Sequence, residues 1–84
     1  MEKEQKLDIL ILSPERLMYE GKAGSVVLPG ETGVFEVLPF HKRLLSRLLA
    51  GYVVIDQKAM KIKRGVVKVG LNQVTIIVEE ANES

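Results

Sequence analysis

Few side chains in this sequence could carry out bond chemistry. His41 is the only histidine and there is no cysteine, so thiolate metal ligands, thiol nucleophiles and disulfides are all excluded. A histidine that holds a metal needs further ligands, and one that acts as a base needs a nucleophile nearby. No such motif accompanies His41, and the carboxylate pairs Glu2/Glu4 and Glu79-Glu80 lie near the two ends of the chain. The sequence therefore predicts no catalytic residues, no metal site and no cofactor.

The glycines do not form a phosphate-binding loop. Neither G-x-x-x-x-G-K-[ST] nor G-x-G-x-x-G occurs, so no ATP site is expected. Glycine and proline are instead predicted to mark structural turns, at Pro29, Gly30, Pro39, Gly51 and Gly65. The pair Pro29-Gly30 has the residue types of the two central positions of a type II turn.

The segment Ala59-Met60-Lys61 is similar to the tip of biotin-carrier domains, small all-β domains in which the lysine is acylated. In those domains the modified lysine sits on an exposed tight turn. Here Met60 and Ile62 alternate with the lysines as they would in a strand, and the nearest turn is predicted earlier, at 56–58. A biotin or lipoyl-type carrier domain with Lys61 as the modified residue is therefore the alternative reading, and the less favoured one.

Length and composition describe one globular domain spanning residues 1–84. Hydrophobic residues make up 46% of the chain, which is enough for a core and sets it apart from disordered sequences. A formal charge of +1 gives no long-range attraction to nucleic acid or to lipid. The lysines and arginines between residues 42 and 68 are accompanied by too few free aromatic side chains to stack on bases. We therefore expect a solvated basic face and no nucleic-acid partner.

Apolar and polar residues alternate with a period of two along most of the chain, which is typical of half-buried strands. Leu7, Ile9 and Ile11, for example, share one face of the first predicted strand. Later strands are predicted at 16–20, 25–28, 34–38, 52–55, 59–63, 66–69 and 74–79. Short strands separated by a turn about every eight to twelve residues predict an all-β sandwich or barrel.

Residues 41–51 break this alternation. Leu44, Leu45, Leu48 and Leu49 follow a helical spacing with basic residues opposite, and Gly51 stands where such a helix would stop. Taken alone, the periodicity predicts a two-turn amphipathic helix. A short buried strand is the alternative, because tertiary context often overrides weak local propensity.

The order of the turn residues resembles a known family. The matching segments are Leu12-Ser13-Pro14-Glu15, the run from Val27 to Phe35 (VLPGETGVF), the run from Val37 to His41 (VLPFH), Leu49-Ala50-Gly51, and Gly65-Val66-Val67-Lys68-Val69. Together they are similar to the ε subunit of rotary F-type ATP synthases, over a stretch from about Leu7 to Glu79. The pattern L-P-G-x-x-G-x-F…L-P-x-H carries most of the specificity, because several turn residues recur at fixed offsets.

The resemblance implies the family's N-terminal domain, a small flattened antiparallel β-sandwich, here of about eight to ten short strands. It also implies a non-catalytic rotor subunit of the central stalk that lies beside the γ subunit and rests on the polar loops of the c-ring. During proton-driven ATP synthesis such a subunit couples the catalytic head to the ring. Its expected location is peripheral, at the cytoplasmic face of the bacterial inner membrane and attached through its partners. The isolated domain is expected to be monomeric.

The resemblance further implies which residues meet the partners. The expected interface comprises Ser13, Glu31, Thr32, Gly33, Val34, His41 and Lys42. Within it, the loop at 31–33 and a nearby His41 are expected to form one end of the sandwich, where polar groups face the ring loops. The resemblance also favours a strand over a helix at 44–49, because a helix would leave the sheet containing 52–55 short of a neighbour.

Two further expectations follow from the sandwich. Its core is predicted to contain Ile9, Phe35, Val37, Val54, Ile62, Val69 and Ile76, with Tyr52 also inside. The sequence departs from the family at Glu36 and Phe40, where glycine is usual, at Lys42-Arg43, where Ala-Pro is usual, and at Arg64-Gly65, where two glycines are usual. The family's C-terminal helical hairpin has no counterpart after Ser84, as expected of either a short ε subunit or a fragment of a longer one.

Overall fold

Eight β strands and no helix make up the described part of the chain, residues 5–81 of the computed structural model. The strands are β1 (Leu7–Leu12), β2 (Leu17–Ala23), β3 (Val26–Gly30), β4 (Gly33–Val37), β5 (Leu44–Leu48), β6 (Gly51–Ile55), β7 (Lys58–Gly70) and β8 (Gln73–Glu80). The all-β prediction is confirmed. One difference is that the two strands predicted at 59–63 and 66–69 form a single strand, β7, of 13 residues.

The long strand β7 connects the two layers of the sandwich. β5 and β6 follow one another along the same side of β7, with Leu44 opposite Val69 at one extreme and Ile55 opposite Lys58 at the other. The second half of β7 belongs to the layer β2-β1-β8-β7-β5, and its first half to the layer β7-β6-β3-β4. Because β7 is shared, hydrogen bonds join all eight strands into one sheet that folds over on itself.

The strands are antiparallel except at one ladder. β1 and β8 run parallel, with Asp8 opposite Gln73 and Leu12 opposite Ile77. The sandwich was predicted to be antiparallel, and this ladder is the exception to that arrangement. A parallel pair needs a long connection between its strands, and here the connection is the remainder of the domain, from β2 to β7.

The core lies between the two layers and contains side chains from every strand. Its buried apolar residues are Leu7, Ile9, Ile11, Ala23, Val26, Leu28, Val37, Leu48, Val53, Ile55, Ile62, Val67, Val69, Val74, Ile76 and Val78. Five of the seven predicted core residues are among them. Phe35 is half-buried and packs against the core from its margin.

The predicted inside and outside faces of β6 are reversed. Val53 and Ile55 are buried, whereas Val54 is half-buried and Tyr52 is 55% exposed. All residues from 52 to 55 are apolar or aromatic, so alternation gives no signal about which of them point inward. Pairing of Gly51 with Ile62 fixes the register instead, and it turns Tyr52 outward beside Lys61.

The segment with helical spacing is a strand, as the resemblance implied. Leu48 of β5 is buried and Leu44 packs against the core, while Leu45 and Arg47 point outward and are exposed. β5 pairs with β7 along its whole length, so hydrogen bonds to β7 satisfy backbone N–H and C=O groups of β5. This pairing outweighs the modest helical preference of a leucine-rich segment.

Pro29 and Gly30 do not form a turn. Both belong to β3 and are buried, and the turn that follows is made by Glu31 and Thr32. Gly30 serves a packing role, since a Cβ atom there would lie 2.7 Å from the Phe35 ring. Of the other predicted turn positions, Pro39 does lie in a turn. Gly51 is instead the first residue of β6, and Gly65 lies inside β7.

Gly65 marks the point where β7 passes from one layer to the other. The register between β7 and β8 shifts just before it, between Ile62 and Arg64, as in a β-bulge. A Cβ atom at Gly65 would lie 2.6 Å from the Ile77 carbonyl oxygen and 3.2 Å from the Val78 Cα. The close approach of β8 therefore requires glycine at this position.

This contact gives a test of the bend. Gly65→Ala should lower the free energy of unfolding by about 1–3 kcal/mol, the usual cost of forcing extra volume into a packed region. Gly70→Ala is the matched control on the same strand, because its nearest neighbour would be the Arg43 Cγ at 4.0 Å. Urea unfolding of both variants measures the difference, and equal stabilities would show that β8 does not crowd Gly65.

Candidate partner interface

The fold has two ends with different loops. The bend end carries the loops at 13–16, 31–32 and 49–50 together with the bend of β7, and the Glu31–Arg47 and Arg64–Glu79 ion pairs lie there. The turn end carries the connections at 24–25, 38–43, 56–57 and 71–72. It is held by backbone bonds such as Asp8 N–H to the Asn72 carbonyl and by the Asp56 carboxylate, which accepts bonds from the Gly24 and Ser25 amides.

Six of the seven predicted interface residues lie on one edge of the sheet. β4 pairs with β3 alone, so the segment 31–42, which we call the β4 edge, runs along the margin of the domain. Glu31, Thr32, Gly33, Val34 and Lys42 are exposed there, and His41 is partly exposed. Val34 and Phe40 are each 73% exposed, so the edge presents apolar as well as polar groups.

Glu31 and His41 are not close together, contrary to the prediction of a single loop cluster. Glu31 forms an ion pair with Arg47 at the bend end, with 2.9 Å between the carboxylate and guanidinium groups. His41 follows the far end of β4, where its N–H donates to the Leu38 carbonyl. The five residues of β4 lie between them and span about 14–17 Å. The predicted interface residues other than Ser13 therefore form a strip along the edge.

Ser13 lies apart from the other interface residues and is only 8% exposed. Its hydroxyl accepts bonds from the Glu15 and Arg16 amides and donates to the Arg16 carbonyl, all within 3.2–3.3 Å. Ser13 therefore holds the loop at 13–16 in shape, and any effect it has on a partner acts through that loop.

Phe40 occupies the third position of a turn closed by the bond from His41 to Leu38. Pro39 supplies the second position, and Phe40 has φ of 70°, as the third residue of a type II turn requires. Glycine is the residue that normally meets this requirement. The Phe40 N–H also donates to the Asn72 Oδ1 at 2.6 Å, which ties this turn to the one between β7 and β8.

The sequence reasoning overlooked an apolar strip on the outer face of the layer that contains β8. Cross-strand pairing brings Leu17, Leu12, Ile77 and Val66 into one row, and all four are at least partly exposed. Two local signals pointed to it: the runs Leu10-Ile11-Leu12 and Ile76-Ile77-Val78 have no polar residue on the outward positions. Such strips mark contact surfaces when they are contiguous.

No cluster of three or more histidine, cysteine, aspartate or glutamate side chains could hold a metal ion within residues 5–81. In that same part of the chain, no helix is long and apolar enough to cross a membrane. What the described residues offer is a stiff body with exposed edges and faces.

Comparison with known proteins identifies the fold family. The family model for the β-sandwich domain of the ATP synthase delta/epsilon chain matches residues 6–84. The chain belongs to this family. Its relatives include the ATP synthase epsilon chains of a Nitratiruptor species, 41% identical over 80 residues, and of Sulfurimonas denitrificans, 41% identical over 81 residues. These matches cover 89% and 90% of this chain but 62% of each relative, so the chain spans about three fifths of their length.

Solved structures agree with the family assignment at the level of the fold. One is the Tetrahymena thermophila mitochondrial ATP synthase central stalk and c-ring, with a TM-score of 0.78, 14% identity, and coverage of 94% of this chain and 67% of that chain. Another is the Euglena gracilis mitochondrial ATP synthase, with a TM-score of 0.80, 17% identity, and coverage of 92% of this chain and 52% of that chain.

The family's β-sandwich explains the position of Lys61. It lies in β7 opposite Tyr52, outward and exposed, while the nearest turn is at Asp56 and Gln57. A carrier lysine would be expected at that turn, so the geometry does not favour the carrier alternative.

One ion pair links the loop at 13–16 to the last strand. The Arg16 guanidinium bonds to both carboxylate oxygens of Glu80, at 3.2 and 2.8 Å. The hydrogen bond from Arg16 is the main reason that the pKa of Glu80 lies below its ordinary value, and the same bond raises the pKa of Arg16. A lowered carboxylate pKa contributes stability that is present above the unfolded pKa and is lost as the pH falls through the folded pKa.

The Arg16–Glu80 ion pair therefore predicts that the stability of the domain depends on pH in the acidic range. Arg16→Ala should move the Glu80 pKa upward toward its ordinary value, which an NMR titration of the Glu80 side chain would measure. Any difference in melting temperature between the wild type and this variant should be present at neutral pH and should disappear as the pH falls through the lowered pKa of Glu80 in the folded wild type, because Glu80 is protonated in both proteins below that pH. An unchanged Glu80 titration would show that the pair does not form in solution.

Proposed function

We propose that this chain supplies the β-sandwich of an ε subunit in the central stalk of a rotary ATP synthase. In this role it is a non-catalytic rotor subunit that links the catalytic head and the γ subunit to the c-ring during proton-driven ATP synthesis. The observation that carries the proposal is the family match over residues 6–84, together with agreement of the fold. The domain would lie at the cytoplasmic face of the bacterial inner membrane, attached through its protein partners.

The mechanics of the domain suit this role. A part that transmits torque between larger bodies must resist deformation and must touch both of them. Buried side chains from every strand form one core, and the shared strand β7 couples the two layers through backbone hydrogen bonds. A close-packed interior of this kind transmits strain rather than absorbing it.

The β4 edge is the proposed contact with the ring. Glu31, Thr32, Gly33 and Val34 would meet it near the bend end, and His41 and Lys42 near the turn end, with Ser13 acting through its loop. Standard protein interfaces bury about 800 Å² on each partner, and most of their residues contribute little individually. The outer face of the layer that contains β8, with its exposed apolar strip, remains available for γ.

A paired substitution at both halves of the edge tests this assignment. In the complete ε subunit, Val34→Glu with His41→Glu places two carboxylates on the strip while leaving the core untouched. Reconstituted enzyme should still hydrolyse ATP, but proton pumping should fall to about half or less, as for loss of central contacts in an interface.

The control is Lys61→Glu, an exposed position on β7 away from this edge. It should pump like the wild type, and both variants should melt close to the wild-type temperature. Wild-type pumping by the double variant would remove the β4 edge as the ring contact and would move the assignment to the outer face of the layer that contains β8.

The carrier alternative has its own direct measurement. Expression of the chain with a biotin ligase and with a lipoate ligase should leave its intact mass unchanged, because Lys61 is held in a strand rather than on a turn. A stoichiometric mass increase that Lys61→Arg abolishes would reverse this conclusion.

A further inference from the structure

Two residues at the turn end combine backbone strain with almost complete exposure. Phe40 has φ of 70° and Leu71 has φ of 47°, in the left-handed region that side chains with a Cβ atom disfavour. Phe40 is 73% exposed and Leu71 is 85% exposed, so neither gains the burial that would offset this cost within the domain. Glycine or asparagine would satisfy both turns without strain.

The two side chains lie next to one another because their turns are joined. The Phe40 N–H donates to the side-chain oxygen of Asn72, the residue directly after Leu71. Both residues line one shallow cleft together with Lys42 and Arg43. A second cleft beside it is lined by Leu71, Leu45 and Lys68, and Leu45 is 75% exposed. We call the group of Phe40, Leu71, Leu45, Lys42, Arg43 and Lys68 the Phe40–Leu71 tip.

The charges of the tip are not neutralised. Lys42, Arg43 and Lys68 are exposed, and none of them has a carboxylate within 4 Å among residues 5–81. Five other cations of this region of the chain do form ion pairs, namely Arg16, Lys22, Arg47, Lys63 and Arg64. The tip therefore presents exposed apolar side chains inside a basic rim that forms no ion pair within residues 5–81.

We propose that the Phe40–Leu71 tip is an anchor that inserts into an apolar pocket bordered by carboxylates on a protein partner. This inference rests on the proposed function, in which the partner is another subunit of the same rotor. It adds to the β4 edge Leu45 of β5, Lys68 of β7 and Leu71 of the turn between β7 and β8. The basic rim selects an acidic border by charge complementarity. Buried aromatic anchors in pockets are the side chains that contribute most to such contacts.

A protein pocket fits the tip better than a lipid surface does. Lipid binding by exposed apolar and basic side chains does not require them to be held in one geometry, and stable attachment needs a larger apolar area or a lipid chain. Here two turns and the hydrogen bond from the Phe40 backbone N–H to Asn72 hold the backbone positions from which both side chains project. Such preorganisation increases affinity for a receptor of defined shape.

The decisive variant is Phe40→Gly in the full ε subunit. Glycine adopts φ of 70° freely, so the melting temperature should not fall. Affinity for ATP synthase depleted of its ε subunit should drop by about tenfold or more, as expected for the loss of an aromatic anchor. Leu71→Asn follows the same logic, because asparagine tolerates the left-handed turn. Weaker binding without loss of stability is a result that a purely structural role would not give.

Charge reversal tests the rim separately. Arg43→Glu with Lys68→Glu should weaken binding to the depleted complex by about tenfold at low salt and should flatten its dependence on ionic strength. Lys61→Glu is the control, since Lys61 is also exposed and unpaired within residues 5–81 but lies outside the tip. It should leave affinity and salt dependence as in the wild type.

The outcomes separate this inference from the proposed function. If the wild-type subunit does not bind the depleted complex, both fail. If it binds and Phe40→Gly and Leu71→Asn bind equally well, the tip is not an anchor and the proposed function stands. If phosphatidylglycerol vesicles bind the wild-type subunit and Phe40→Gly removes that binding alone, the tip is a lipid contact and the protein pocket is ruled out. Loss of binding to the complex in the tip variants, with the control unaffected, establishes the anchor.

Discussion

The approach of β8 to Gly65 of β7 is the contact on which the sandwich depends. β7 must leave one layer and enter the other at this point, and β8 must stay bonded to it while the register shifts. The space for the Gly65 Cβ is already filled by backbone atoms of Ile77 and Val78. Because β7 carries β6 on its first half and β5 on its second, a change in the bend angle would alter the separation of both layers and the packing of the whole core.

The same bend gives the domain two ends, which differ in how their charged side chains are paired. At the bend end, charged residues pair with one another across short distances, so the surface is electrostatically satisfied. At the turn end, Lys42, Arg43 and Lys68 make no ion pair within residues 5–81 and surround exposed apolar side chains. The β4 edge connects these ends. A partner that touches this edge would therefore meet paired charges at the bend end and unpaired basic side chains at the turn end.

The sequence predicted the fold wherever hydrophobic alternation was unambiguous. Polar residues separate buried ones in parts of β1, β7 and β8. In β7, for example, Lys61 and Lys63 were correctly predicted to be exposed on either side of the buried Ile62. In the uninterrupted apolar run of β6, alternation could not indicate which side chains are buried. The register of β6 against β7 determines that Val53 points inward. The strand at 44–48 was recovered through family resemblance, since its own periodicity is helical.

The shape of the proposed interface could not be predicted from the sequence. Glu31 and His41 are ten positions apart, and the resemblance placed both at one end of the sandwich although a strand was predicted at 34–38. That strand separates them along the edge, because Phe35 and Val37 turn toward the core while Val34 and Glu36 face outward. Leu71 was overlooked since a leucine in a left-handed turn has no sequence signature. Its exposed side chain lies beside Phe40 because the Phe40 N–H bonds to Asn72, the next residue of the turn.

The parallel ladder between β1 and β8 has a kinetic consequence. Asp8 and Gln73 are opposite one another, so this ladder closes a loop of about 65 residues, with a length-dependent entropic cost of roughly 4 kcal/mol. Proteins dominated by contacts of such large sequence separation have high contact order and fold slowly, on the millisecond-to-second scale. During synthesis, β1 can pair with β2 early, but its other edge stays open until β8 has left the ribosome. The first strand made is thus among the last to gain its full set of neighbours.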